Sequence, residues 1–363
     1  MKEFSNVIVI IQYLLILYYI FSGSILSMVI SSVIGIVSLF MTFIKQNRKG
    51  KLAISVSFII SFVLLIIGNS FYATPYSISV ALFSHFSLAC LLLTSRVNRF
   101  VSLFLAFIFT IIVCYKVFTY GPSEIFATAS INFISIYFTL FSLPYFINCY
   151  NEGKEPSIIP LILCLISSLL THGRGNIIFS FLILFLFIII KYYNRIIGSS
   201  KKMKIIVFFV CLLSIVVFII LVYVFFPNLF EEYLYRFTEE KAESIEEEAR
   251  VVFLLGYIDE ILSSPSKFLI GADYRVFLPI KIEHLHNSFL MIHHFTGILG
   301  FILLIRYIAK GCVYIWKDRN FLLLVLFIPF LIKCFTEWAF PLVLGDVFIW
   351  YVILYPYLIK TIK

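Results

Sequence analysis

A few arginine, histidine and asparagine residues stand in this chain where their chemistry would be useful. Arg174 lies between Gly173 and Gly175 in the turn Thr171-His172-Gly173-Arg174-Gly175-Asn176. A guanidinium is a planar fork of donors matched to phosphate oxygens, and flanking glycines let a ligand approach the backbone. Arg250 follows the run Glu246-Glu247-Glu248, and Arg236 sits upstream in Tyr235-Arg236-Phe237. His286-Asn287 pairs a side chain that exchanges a proton near neutral pH with one able to orient a ligand or a ring nitrogen. His293 follows about two turns later, close to the face of His286 under a helical repeat.

Each of these also has a structural reading that spacing leaves open. Arg174 at a membrane rim would serve equally to reach lipid headgroups. Arg250 fits an ion pair with Glu246 or Glu247 on a solvated helix face, and Asn287 fits a helix N-cap. His85 and His294 read as structural histidines within apolar segments. No CxxC spacing occurs, nor a His-x-x-x-His pair with supporting carboxylates, so neither a metal nor a cofactor is expected.

The elements that must position these residues are membrane helices. Of 363 residues, 62% are hydrophobic, 13% are charged and 42 are Phe. A bilayer core of about 30 Å needs roughly 20 apolar residues per helix, because backbone polar groups in lipid must be satisfied within the segment. The pattern predicts an all-α integral membrane protein with about 12 transmembrane helices, range roughly 10 to 13. They fall near 5–21, 24–44, 52–69, 77–94, 100–118, 125–147, 158–171, 176–190, 205–226, 287–309, 321–336 and 346–359. Residues 1–226 form an N-terminal bundle, 227–286 a large loop, and 287–363 the closing helices of the same domain.

Basic turns at Lys45–Lys51, Arg96–Arg99, Lys191–Lys204 and Lys310–Arg319 alternate with weakly charged ones. Positive charge marks cytoplasmic connections, so both termini are expected in the cytoplasm and the loop outside. The net charge of +9 is then a topological bias with affinity for anionic lipid, and no nucleic-acid partner is implied. The first apolar stretch carries no small-residue cleavage pattern and is expected to stay as a helix. The loop holds 12 of the 19 acidic residues, none of the 7 cysteines, and a helical pattern from about Glu243 to Leu262 that Ser263-Ser264-Pro265-Ser266 ends. The apolar face of that helix must rest on the leaflet surface or on the mouth of the bundle.

Taken in order, Gly173-Arg174-Gly175, the loop arginine Arg250, Phe268-Leu269-Ile270-Gly271, His286-Asn287-Ser288-Phe289-Leu290 and Gly297-Ile298-Leu299-Gly300-Phe301 resemble the O-antigen polymerase and O-antigen ligase superfamily. The resemblance spans about Arg174 to Phe301; the first half agrees only in hydropathy. Departures are Gly173 where the family often has Ser, Phe253 and Leu254 where it often has Trp, and a single glycine, Gly271, where it often has two. Arg236 competes with Arg250 for the loop role.

The resemblance implies a glycosyltransferase acting at the outer face of the bacterial cytoplasmic membrane on glycan linked to undecaprenyl diphosphate. It implies a polymerase that joins repeat units of O-antigen or capsule. Arg174 and Arg250 would stabilise the diphosphate leaving group without a metal, and either His286 would accept the proton of the acceptor hydroxyl or His286 would hydrogen-bond the diphosphate with a loop carboxylate as base. Asn287, Arg236, Gly271 and His293 would line the substrate. Expected partners are the lipid-linked oligosaccharide, membrane lipids, a repeat-unit flippase and a chain-length regulator. A ligase passing glycan to lipid A core shares the same residues. A flippase is the less favoured third reading, since transporters place binding groups near the midplane.

Overall fold

The computed structural model describes residues 2–72, 76–127, 130–171, 173–197, 245–274, 285–341 and 343–359. These are helical with short connections, and no strand occurs among them. The helices are α1 (Lys2–Ser22), α2 (Ile25–Lys45), α3 (Arg48–Tyr72), α4 (Tyr76–Thr94), α5 (Arg99–Tyr120), α6 (Ile134–Asn151), α7 (Ile159–Leu170) and α8 (Arg174–Ile197). There follow α9 (Ile245–Leu262), α10 (Pro265–Ile270), α11 (Ser288–Lys317), α12 (Phe321–Lys333) and α13 (Asp346–Leu358).

Among the described residues, six helices are long and apolar enough to cross a membrane: Ser5–Ser22, Ile25–Lys45, Arg99–Tyr120, Ile131–Asn151, Gly175–Tyr192 and Ser288–Lys317. Ala81–Thr94, Ile159–Leu170, Phe321–Lys333 and Asp346–Leu358 are shorter apolar helices. The span expected at 205–226 lies outside the described residues. The span expected from 125 becomes α-helical only at Ile134, because Gly121 ends α5 at φ +89° and two 3-10 turns, Pro122–Glu124 and Ile131–Phe133, carry the chain across.

Apolar residues face both ways in such a bundle. Phe40, Phe104, Ile111, Phe118 and Leu299 are exposed, as lipid-facing side chains would be, while Tyr13, Phe109, Phe138, Phe141 and Trp350 are fully buried. α6 and α13 are buried along nearly their whole length and form the centre. Close approach there uses small residues: a Cβ on Gly311 of α11 would collide with the Val352 carbonyl of α13.

The two ends of the bundle differ. At one end, Tyr150 Oη donates to the Asp318 carbonyl, Lys310 Nζ to Tyr357 Oη and Lys191 Nζ to the Pro156 carbonyl, which gathers the basic turns. At the other, α9 lays Phe253 and Tyr257 against Leu82 of α4, Met291 and Phe295 of α11, and Trp338. The apolar face of the loop helix therefore rests on the mouth of the bundle. Ser264 ends this segment by capping α10 through a hydrogen bond from the Ser266 amide.

Candidate functional site

His286-Asn287-Ser288 is fixed by hydrogen bonds to the corner between α12 and α13. The Ser288 amide donates to the Cys334 carbonyl at 2.8 Å, and Ser288 Oγ donates to the Glu337 carbonyl at 2.8 Å. The Ala339 amide returns a bond to Ser288 Oγ at 2.9 Å. Asn287 Nδ2 donates to the Phe335 carbonyl at 3.1 Å, while its Oδ1 accepts from the Phe289 and Leu290 amides at 2.9 and 3.1 Å and caps α11. Both ends of the Asn287 amide are thus occupied by backbone.

His286 stands one residue outside that clamp, in the left-handed region at φ +48°. A non-glycine residue there carries strain of about 1 kcal/mol or more, which the bonds at Asn287 and Ser288 hold in place. The conformation sets His286 Nδ1 3.7 Å from Glu337 Oε2; the imidazole side chain is 30% exposed and the carboxylate side chain 4%. This is an ion-pair distance rather than a hydrogen bond. A part-open imidazole facing a buried carboxylate is the arrangement of a side chain that can exchange a proton with a bound group.

Three ionisable residues of this corner are buried: Lys333, Glu337 and Asp346. The Glu337 amide bonds to the Lys333 carbonyl, which places both on one turn. A Cβ on Gly175 would stand 2.6 Å from Lys333 Nζ, so the start of α8 lies against this ammonium. Arg174 is the first residue of α8. Lys333 and Glu337 therefore link the Gly173-Arg174-Gly175 turn to His286. Asn176 secures the same turn, donating to the Ile131 carbonyl and accepting from Ser135 Oγ, both at 2.7 Å.

Sequence reasoning missed Lys333, Glu337 and Asp346. They fell in or beside a turn judged by lysine and arginine content alone, although charged residues among membrane helices are rare and mark function more often than solvated ones do.

His293 and Gly271 belong to a neighbouring clamp between α9, α10 and α11. The Phe268 carbonyl can only accept, so His293 Nε2 donates to it at 3.0 Å, and Nδ1 accepts from Tyr257 Oη at 3.1 Å. Both ring nitrogens are taken up within the protein. His294 Nδ1 donates to the Ala272 carbonyl at 2.5 Å. Gly271 (φ +116°) and Gly297 (φ +63°) make this contact possible, since a Cβ on the first would strike the His294 carbonyl and one on the second the Leu269 carbonyl. The Phe268–Gly271 and Gly297–Phe301 segments, far apart in the chain, meet here backbone to backbone. Gly297 is also the kink inside α11.

Arg250 lies in α9, three and seven residues before Phe253 and Tyr257, the pair that faces the bundle. Arg236 lies outside the described residues. His85 is buried, with a backbone hydrogen bond to Val343, and its Nδ1 has no partner among the described residues. Comparison with family models, curated proteins and solved structures finds no match.

Proposed function

We propose that this chain is a polysaccharide polymerase of the membrane, with about 12 spans, both termini cytoplasmic and the loop end facing outward. It extends a glycan carried on undecaprenyl diphosphate. The observation that carries the reading is His286, held 3.7 Å from buried Glu337 at the end of the bundle where the Gly173-Arg174-Gly175 turn meets Lys333. The resemblance over Arg174 to Phe301 supplies the reaction class.

In the proposed step, an acceptor sugar hydroxyl attacks the anomeric carbon of the donor glycan. The new carbon–oxygen bond forms as the bond to diphosphate breaks, and the electron pair leaves on the diphosphate. The hydroxyl proton passes to His286, whose imidazolium is stabilised by Glu337. Arg174 and Arg250 bind the leaving diphosphate, with the Lys333 ammonium adding to the positive field at the start of α8. Asn287 acts by fixing the backbone that carries His286.

The test uses purified protein in bilayer discs with lipid-linked repeat units. A ladder of carrier-linked products that disappears in His286→Ala and in Arg174→Ala supports the reading. Product formed only after a lipid A core acceptor is added points to a ligase instead. Undiminished ladders in both variants would sink the assignment.

A further inference from the structure

Between α3, α11 and α13 runs an apolar cleft of about 420 Å³. Its walls include Leu52, Ala53 and Val56 of α3, Leu303 and Tyr307 of α11, and Ile353 of α13. Leu52, Val56 and Leu303 are exposed, so the cleft opens sideways to the surroundings of the bundle, where lipid chains would lie.

The polarity of the cleft is one-sided. Lys49, the only charged residue among the described residues of its lining, lies with Tyr357 at the end formed by the basic turns. Lys310 adds a second ammonium there, donating to Tyr357 Oη at 2.8 Å. The opposite end, at Ile60 and Thr296, carries no charge among the described residues. From Lys49 to Ile60 the helix rises about 16 Å, close to half of a hydrocarbon core of about 30 Å. The cleft therefore matches one leaflet in depth and places its cations at one headgroup level.

We propose that this cleft binds an anionic phospholipid, one acyl chain along α3 and α11 and its phosphate between Lys49 and Lys310. Two ammonium groups and two phenols around one mouth suit a phosphodiester, and the leaflet facing basic turns is the one rich in anionic lipid. A polyprenyl carrier is less well matched, because its diphosphate would have to sit at the basic end, opposite His286 and the start of α8. The site is separate from the proposed reaction and does not depend on it.

Delipidated full-length protein in detergent, titrated with dioleoylphosphatidylglycerol and read by native mass spectrometry, tests the proposal. Retention of phosphatidylglycerol should exceed that of dioleoylphosphatidylcholine at least tenfold. The Lys49→Glu, Lys310→Glu double variant should lose that preference, and Ala53→Phe, which fills the cleft, should lower retention of both lipids. The lysines are exposed, so their replacement leaves the core intact, and unchanged circular dichroism confirms it. Equal retention of the two lipids overturns the proposal. So does phosphatidylglycerol retention unaffected by either change, or displacement of phosphatidylglycerol by undecaprenyl phosphate at equal concentration.

Discussion

Two buried polar clusters in this bundle are built on opposite lines. Between α1, α2 and α4, Gln12 Nε2 donates to Ser87 Oγ at 3.0 Å and to the Ser31 carbonyl at 3.3 Å, and Ser31 Oγ lies 2.5 Å from Ser84 Oγ. A Cβ on Gly35 would collide with Ser87 Oγ, so the helices touch almost without intervening side chains. Every member of this seam is neutral. At the corner between α12 and α13, buried side chains are ionisable: Lys333, Glu337 and Asp346, with His286 beside them. Neutral hydroxyls and amides glue helices at little risk, since nothing must be kept charged in a low dielectric. Buried ionisable groups are expensive, and their gathering at one corner, with Glu337 facing a part-open imidazole, points to a use beyond packing.

That contrast predicts where substitutions fall on activity and where on stability. The largest effect belongs to His286. His286→Ala should lower the rate of elongation by about 100-fold to 10,000-fold, the range for losing a general base. The melting temperature should fall much less than the rate, because Asn287 and Ser288 hold the corner through their own hydrogen bonds. Single-turnover assays with lipid-linked repeat units decide this. A residual rate above one-tenth of wild type, an outcome at odds with losing a general base, would move the base elsewhere.

Next is the clamp beside the corner, where the damage should be to the fold. Gly297→Ala places a side chain at φ +63° and drives its Cβ into the Leu269 carbonyl. The conformation alone costs roughly 1–2 kcal/mol and the displaced backbone adds to it, so a loss of about 2–3 kcal/mol is expected. Thermal unfolding in detergent should show it, and Gly271→Ala should behave alike because its Cβ meets the His294 carbonyl of the same contact. If either variant unfolds like wild type, the backbone contact between α10 and α11 is not the constraint it is described as here.

Much of this arrangement was legible in the chain and some was not, for definite reasons. Within the described residues most helix positions followed from apolar length, although the span expected from 125 becomes α-helical only at Ile134, and the helix expected at about Glu243 to Leu262 is observed as Ile245–Leu262. The Asn287 cap was one of two open readings, and the structure fills both ends of its amide with backbone. His293 looked available for substrate because periodicity reports a face and not the partners across it; Tyr257 and the Phe268 carbonyl occupy its ring. Glu337 was invisible because its meaning depends on a residue 51 positions away, the distance from His286 in sequence. Local pattern carries helices and caps well, whereas a charge pair between distant segments exists only after folding.

Glu337 gives the third prediction. Glu337→Gln keeps the size of the side chain and one acceptor oxygen but removes the charge facing His286. As a positioning residue it should lower kcat by about tenfold, near 1.4 kcal/mol, with KM unchanged. Glu337→Asp should recover part of the loss. A rise in KM at constant kcat would instead assign Glu337 to substrate binding.

The smallest effect should come from the neutral seam. Gln12→Leu removes two hydrogen bonds but also removes the buried Oε1, which has no partner among the described residues. Hydrogen bonds between membrane helices contribute on average about 0.6 kcal/mol, with a maximum near 1.7, and deleting the unsatisfied oxygen offsets part of that loss. A stability change within about 1 kcal/mol and an unaltered product ladder are therefore expected. The result matters because the variant lies deep in the bundle, far in sequence from the corner. If Gln12→Leu abolished elongation while melting normally, the seam would be coupled to the reaction and the division between neutral glue and ionisable machinery would fail.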